Sequence, residues 1–175
     1  MKGKLFAAID VGSYELNLKI YNVTANGMSQ VDDVRYRLDL GSDTYAKGKI
    51  ENERVEELCK ILKEFKAIMG SYKVDDYKAY ATSAIRETQN TVVLLDLIEQ
   101  RTGVKLEVLS NSEQRFLDYK SVASKGEVFN RIIEKGTAIV DIGGGSMQIS
   151  LFDKDTLVTT QNIRLGILRI RERLS

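Results

Sequence analysis

Asp141-Ile142-Gly143-Gly144-Gly145-Ser146, preceded by the apolar run at 137–140 and followed by the alternating stretch 147–152, decides how this chain is read. The pattern predicts a strand, a tight turn and a second strand. Three consecutive glycines weaken a sheet unless something must approach the backbone closely. Glycine also permits positive φ there, so successive amide N–H groups can form an anion-binding nest, with the serine hydroxyl as a further donor. An aspartate at the end of the first strand is placed to hold Mg²⁺ beside phosphates, directly or through water. The same arrangement stands near the amino terminus. Asp10-Val11-Gly12-Ser13 follows the apolar run 5–9, and Leu16, Leu18 and Ile20 then alternate with polar residues. The chain therefore carries a near-duplicated turn, and each copy is a candidate phosphate-binding loop. Either copy alone also reads as an ordinary hairpin with an Asp-Gly turn.

Between the two copies the hydrophobic period changes. Asn26-Gly27 is a hairpin signal and predicts a third strand over 28–38. A polar stretch with Gly41, Ser42, Asp43 and Gly48 reads as a loop. Val55, Leu58, Ile61, Leu62, Phe65, Ile68 and Met69 fall on one helical face over 52–69, with Gly70 as the expected stop. A strand at 77–82, a helix at 91–101, a strand at 104–109 and a helix at 113–124 follow. After a charged linker the strands resume at 137–140, 147–152 and 157–163, and a helix starts near Gly166. Strands mixed with helices in this order predict an α/β fold built on a layered sheet, rather than a bundle or a sandwich. The apolar run 5–9 predicts a central strand buried on both faces.

Composition narrows the function. The chain has 175 residues, 43% of them hydrophobic, enough for a core in one domain or two small lobes. Lys and Arg nearly balance Asp and Glu, leaving a net charge of +1. That balance argues against a dedicated DNA or RNA binder and against a polybasic membrane sticker. The absence of histidine excludes histidine bases, Ser-His-Asp triads and zinc–histidine sites. Cys59, the single cysteine, reads as a small buried hydrophobe. The apolar run before Asp10 is too short for a signal peptide, and no run approaches a membrane span, so the expected location is the cytoplasm.

A third informative string is Tyr80-Ala81-Thr82-Ser83-Ala84-Ile85-Arg86-Glu87-Thr88-Gln89-Asn90. The strand ends in two hydroxyl residues that can cap a helix or bind an anion, and Arg86 suits bidentate phosphate contact. A plain helix cap with a surface arginine is the alternative.

Taken in order, five strings resemble the exopolyphosphatase/guanosine pentaphosphate phosphatase family: residues 10–13, 81–90, 109–117, 141–148 and 165–172. That family carries Asp-x-Gly-Ser, Ala-Thr-Ser-Ala-x-Arg-x-Ala-x-Asn, Ile-Ser-Gly-x-Glu-Glu-Ala-x-Leu, Asp-x-Gly-Gly-Gly-Ser-Thr-Glu and Leu-Gly-x-x-Arg-Leu-x-Glu. The resemblance implies an actin-like (ribonuclease H-like) mixed sheet with flanking helices. It also implies a first lobe over 1–124, a linker over 125–136 and the beginning of a second lobe over 137–175, truncated relative to the family. In actin-like proteins two such loops face each other and clamp a nucleotide.

By the same resemblance, Asp10 and Asp141 would hold Mg²⁺, while Gly12, Ser13, Thr82, Ser83, Gly143, Gly144, Gly145 and Ser146 would cradle phosphates. Arg86 would neutralise transition-state charge. The family's water-activating glutamate aligns with Gln114, next to Glu113, and a second family glutamate aligns with Gln148. Glutamine orients water but cannot accept a proton as a carboxylate does. Tyr14 and Glu15 replace the usual Asn and Ser.

Three functions fit. The first is a Mg²⁺-dependent hydrolase releasing terminal phosphate from polyphosphate or guanosine pentaphosphate, with Arg86, Glu113, Gln114 and Gln148 as its catalytic group. The second is a weakened relative that binds the phosphate ligand as a sensor. The third, an actin-like assembly ATPase, is disfavoured by the string at 81–90. Family members are commonly dimers, so a homodimer is an expected assembly.

Overall fold

The computed structural model describes residues 3–124, 126–154 and 156–174. They fall into two compact units, Met1–Val108 and Leu109–Ser175.

In the first unit, β1 (Lys4–Val11), β2 (Glu15–Thr24) and β3 (Gly27–Arg37) form an antiparallel meander, and β4 (Asp76–Ala81) and β5 (Glu107–Val108) add in parallel. The five-stranded mixed sheet has the order β3-β2-β1-β4-β5. Ala7, Ile9 and Val11 of β1, Leu16, Leu18 and Ile20 of β2, and Ala79 and Ala81 of β4 line one face. They pack with the apolar stripe of α2 (Asn52–Tyr72) and with Leu94 and Ile98 of α4 (Thr91–Thr102). Cys59 lies in this core, where burial raises its thiol pKa. β1 is buried mainly on that one face, because its other face carries half-buried Phe6 and Ala8 and exposed Asp10.

Three local readings change. The polar stretch after β3 is a helix, α1 (Leu40–Lys47), since the Asp39 side chain accepts from the Ser42 amide and Gly48 closes the end in the left-handed conformation. Helix α2 runs through Gly70 and ends at left-handed Lys73. The strand expected over 104–109 narrows to the two residues of β5.

The second unit runs from Leu109. Helix α5 (Asn111–Ala123) and a helix inside the expected linker, α6 (Glu127–Ile133), belong to it. Lys125 lies outside the described residues. Phe129, Ile133 and Phe152 form its buried cluster, with Val122, Ala123 and Ile139 packed around them. The Tyr119 ring stacks on Phe152 and meets Phe129 edge-on. The sheet is antiparallel, β6 (Thr137–Ile142), β7 (Met147–Asp153) and β8 (Thr156–Ile163), followed by α7 (Ile167–Leu174). No helix among the described residues is long and apolar enough to cross a membrane.

Candidate functional site

The two turns singled out in the sequence are the same structure at one constant offset. In β1/β2, Asp10 faces Asn17 and Val11 faces Leu16; in β6/β7, Asp141 faces Gln148 and Ile142 faces Met147. Gly12 N–H donates to the Glu15 carbonyl at 3.0 Å, and Gly143 N–H donates to the Ser146 carbonyl at 2.9 Å. A register shift follows at Ile20/Tyr21 in one copy and at Leu151/Phe152 in the other, the matching position. The tip amides of Ser13 and Tyr14, and of Gly144 and Gly145, make no backbone hydrogen bond among the described residues. Consecutive amides left in this way are the material of an anion nest.

Each turn is braced by the helix after its third strand. Gly41 N–H at the start of α1 donates to the Ser13 carbonyl at 2.8 Å. At the start of α7, Ile167 and Leu168 N–H groups donate to the Gly143 and Gly144 carbonyls at 3.1 and 2.9 Å. First-turn amides have no partner within their own helix, so the hairpins satisfy them. Gly166 lies so close to the second turn that an added Cβ would overlap the backbone of Gly144 and Gly145. Arg169 Nε donates to the Gly145 carbonyl at 2.7 Å. The 165–172 string thus has a mechanical meaning that spacing alone does not disclose.

In the first unit the structure brings Gly12, Ser13, Thr82 and Ser83 together. Thr82 N–H donates to the Val11 carbonyl at 3.2 Å, which sets the end of β4 beside the turn. The Ser13 and Ser83 hydroxyls, both buried, are 2.9 Å apart. The hydroxyl of Tyr45, on α1, lies 2.8 Å from that of Ser13 and 3.1 Å from that of Ser83. This third hydroxyl escaped the sequence reading because its helix reads as a loop. Arg86 stands one turn beyond Thr82 on α3 (Ser83–Glu87), its amide bonded to the Thr82 carbonyl. Thr88 and Asn90 tie the string to Ile50, with the Ile50 amide 3.2 Å from Thr88 Oγ1. The Tyr14 ring is covered by the Arg37 guanidinium.

In the second unit Asp141 and Gln148 share one face of the sheet, where α5 covers them. Arg115, Asp118, Tyr119, Ile139, Asp141, Gln148, Ser150 and Phe152 line a small cavity there. Burial raises the Asp141 pKa. Gln148 is only 3% exposed, and neither its amide nitrogen nor its amide oxygen has a hydrogen-bond partner among the described residues. Glu113 is exposed and engaged in a capping box. Its carboxylate accepts from Ser110 N–H at 2.8 Å and its own amide donates to Ser110 Oγ at 3.2 Å, which lowers its pKa. Gln114 lies next to it, one turn before Asp118 on the same helical face. Asp118 was missed because the family pattern directs attention to residue 114.

Among the described residues no three carboxylate, histidine or cysteine groups gather as a metal cage. Mg²⁺ takes one or two carboxylates and completes its shell with water and substrate phosphates, so the end-of-strand aspartates fit that ion as partial ligands.

Similarity to known proteins bears on the same residues. The chain is 25% identical over 176 residues to the bifunctional 3-dehydroquinate synthase/phosphatase of Fusobacterium nucleatum, covering 97% of this chain and 26% of that protein. It is 28% identical over 148 residues to exopolyphosphatase 1 of Mycobacterium bovis, covering 81% of this chain and 40% of the relative. The crystal structure of the Aquifex aeolicus Ppx/GppA family member superposes with a TM-score of 0.77 at 27% identity, over 97% of this chain and 54% of that one. The chain therefore spans between about a quarter and about half the length of these relatives. The mixed α/β architecture is the actin-like one of that family. Over residues 19–175 the sequence matches the Ppx/GppA phosphatase family, and the chain belongs to it.

Proposed function

We propose that this chain supplies the phosphate-binding turns of a phosphoanhydride hydrolase that releases terminal phosphate from inorganic polyphosphate or guanosine pentaphosphate. The observation carrying this reading is the repeat of one turn with one register, an aspartate two residues before its first glycine and free amides at its tip. Each turn offers donors to a phosphate oxygen. Asp10 and Asp141 would hold Mg²⁺, which when bound supplies charge neutralisation at the phosphates. Ser13, held by Ser83 and Tyr45, presents a fixed hydroxyl, and Arg86 stabilises the charge that spreads over the transferred group.

A weakened, ligand-sensing relative is the second reading, favoured by Gln114 and Gln148 at family glutamate positions. Phosphate release from both substrates with Mg²⁺, measured on the longest natural form of the chain, separates the two. Release that falls at least about 10²-fold in Asp141→Ala supports the hydrolase. Ligand binding by calorimetry without release supports the sensor. In that case Gln114→Glu combined with Gln148→Glu raises release by about 10²–10⁴-fold if only proton-accepting groups were lost.

A further inference from the structure

We propose that Asp118 and the buried amide of Gln148 hold an ordered water against Asp141, and that this pair positions water here in place of a carboxylate at residue 114. Its catalytic meaning rests on the hydrolase reading above; the water site itself does not.

Every group involved lies in the second unit. Helix α5 places Arg115, Asp118 and Tyr119 on the face turned toward the sheet, and β6 and β7 present Asp141 and Gln148 to it. The space they line is about 20 Å³, room for roughly one water, and an ordered water needs two to four polar partners. Gln148 is the independent pointer, since a glutamine this deeply buried with both amide atoms unpartnered is energetically unfavourable unless something small completes it.

The chemistry of the lining selects the occupant. Gln148 Nε2 needs an acceptor and its Oε1 a donor, while Asp118 Oδ2 and the Asp141 carboxylate line the same space as acceptors. A bare cation satisfies the oxygens and leaves Nε2 facing a positive charge. An ammonium group only donates, and an anion meets two carboxylates. Water both accepts and donates, and Arg115 in the same lining offsets the negative charge.

Asp118 stands four residues beyond Gln114, about 6 Å along the helix axis on the same face. The carboxylate replaced by glutamine at 114 therefore has a neighbour one turn deeper. Hydrogen bonds to Asp118 and Gln148 fix the water's hydrogens and leave an oxygen lone pair directed outward. In hydrolysis the water oxygen bonds to the terminal phosphorus while the bond from phosphorus to the bridging oxygen breaks. The bridging oxygen keeps the electron pair. One water proton remains on the released phosphate and the other passes to a phosphate oxygen, so neither Asp118 nor Gln148 changes protonation. Asp118 is a positioning residue in this scheme.

The test has two arms. A high-resolution crystal structure of the chain should show water within hydrogen-bond distance of the Gln148 amide and Asp118; a dry cavity, or a metal ion bonded to Gln148 and Asp118 in place of that water, overturns the proposal, whereas Mg²⁺ held by Asp141 outside the cavity does not. In kinetics, Asp118→Ala should lower kcat by about 10²-fold with KM nearly unchanged, and the near-isosteric Asp118→Asn should recover part of that loss. An unchanged kcat in a folded Asp118→Ala overturns the positioning role. Circular dichroism identifies a variant that fails to fold, and Asp118→Asn then carries this arm through a kcat change without a KM change. If the parent chain releases no phosphate, the hydrolase reading fails, while the crystallographic arm still decides the water site.

Discussion

The two hairpins share register, closing hydrogen bond and bulge position, yet they are held in different ways. The first leans on side chains. Ser13 joins Ser83 and Tyr45 in a hydroxyl cluster above a large apolar core. The second has glycine at the matching tip positions and leans on backbone, with the start of α7 and Arg169 bonded directly to its carbonyls. Among the described residues three side chains form its buried cluster. The shape of the turn is thus set by glycine and the closing bond, whereas its rigidity can come from whichever neighbour is at hand. The first turn adds a hydroxyl donor to its amides; the second offers bare amides beside a half-buried carboxylate.

The residue before each bracing helix should accordingly respond unequally. Gly166→Ala drives a Cβ into the Gly144 and Gly145 backbone and should cost about 3 kcal/mol, the upper range of overpacking, in urea unfolding. At the matching place before α1, Asp39→Ala removes a cap and should cost about 1 kcal/mol. Equal losses would mean that both turns are braced alike. The leading glycines differ in the same way. A Cβ on Gly12 would stand 2.9 Å from the Glu15 carbonyl oxygen, and on Gly143 3.4 Å from that of Ser146. Gly12→Ala should therefore cost about 1–3 kcal/mol and Gly143→Ala less than about 1 kcal/mol, judged by the shift in urea midpoint. Tyr45→Phe sits at the low end of the Gly12→Ala range. It takes one hydroxyl from a buried cluster and should cost about 1 kcal/mol, with faster amide exchange at the first turn only.

What could be read from sequence follows from where the signal is local. The duplicated turns, the long amphipathic α2 and the glycine ending α4 at Gly103 are each written in adjacent residues, and the structure has them. Helix α1 is not legible in the same way. Its Gly41, Ser42 and Asp43 carry the composition of a loop, and only the Asp39 cap and its packing make it helical. Helix α6 hides in charged sequence because, among its described side chains, just Phe129 and Ile133 are buried. The short β5 shows that an apolar run can be core without joining a ladder, since Val104 and Leu106 are buried outside the strand. At the candidate site, the motif residues stand in strings that the sequence itself displays, but Tyr45 and Asp118 do not. Both reach their neighbours through helix packing, which no short string encodes.

The finest difference between the copies is electrostatic, and it predicts the smallest effect. Asp10 is exposed, whereas Asp141 lies half-buried beneath α5 and its pKa is raised by desolvation above the ordinary 3.8. A carboxyl whose pKa is higher folded than unfolded binds its proton more tightly in the native state. Its ionisation therefore opposes folding. Stability attributable to Asp141 should fall as pH rises from 3.8 through the raised native value, and then level off. Asp141→Asn keeps the shape without the charge, so in chelator at pH 7 it should melt above the parent. That advantage should vanish below pH 3.8. Asp10→Asn should stay within about 0.5 kcal/mol of the parent at both pH values, as an exposed substitution does. A melting point lowered by Asp141→Asn would mean that the carboxylate is held by a charge partner, and the two turns would then differ in the opposite sense.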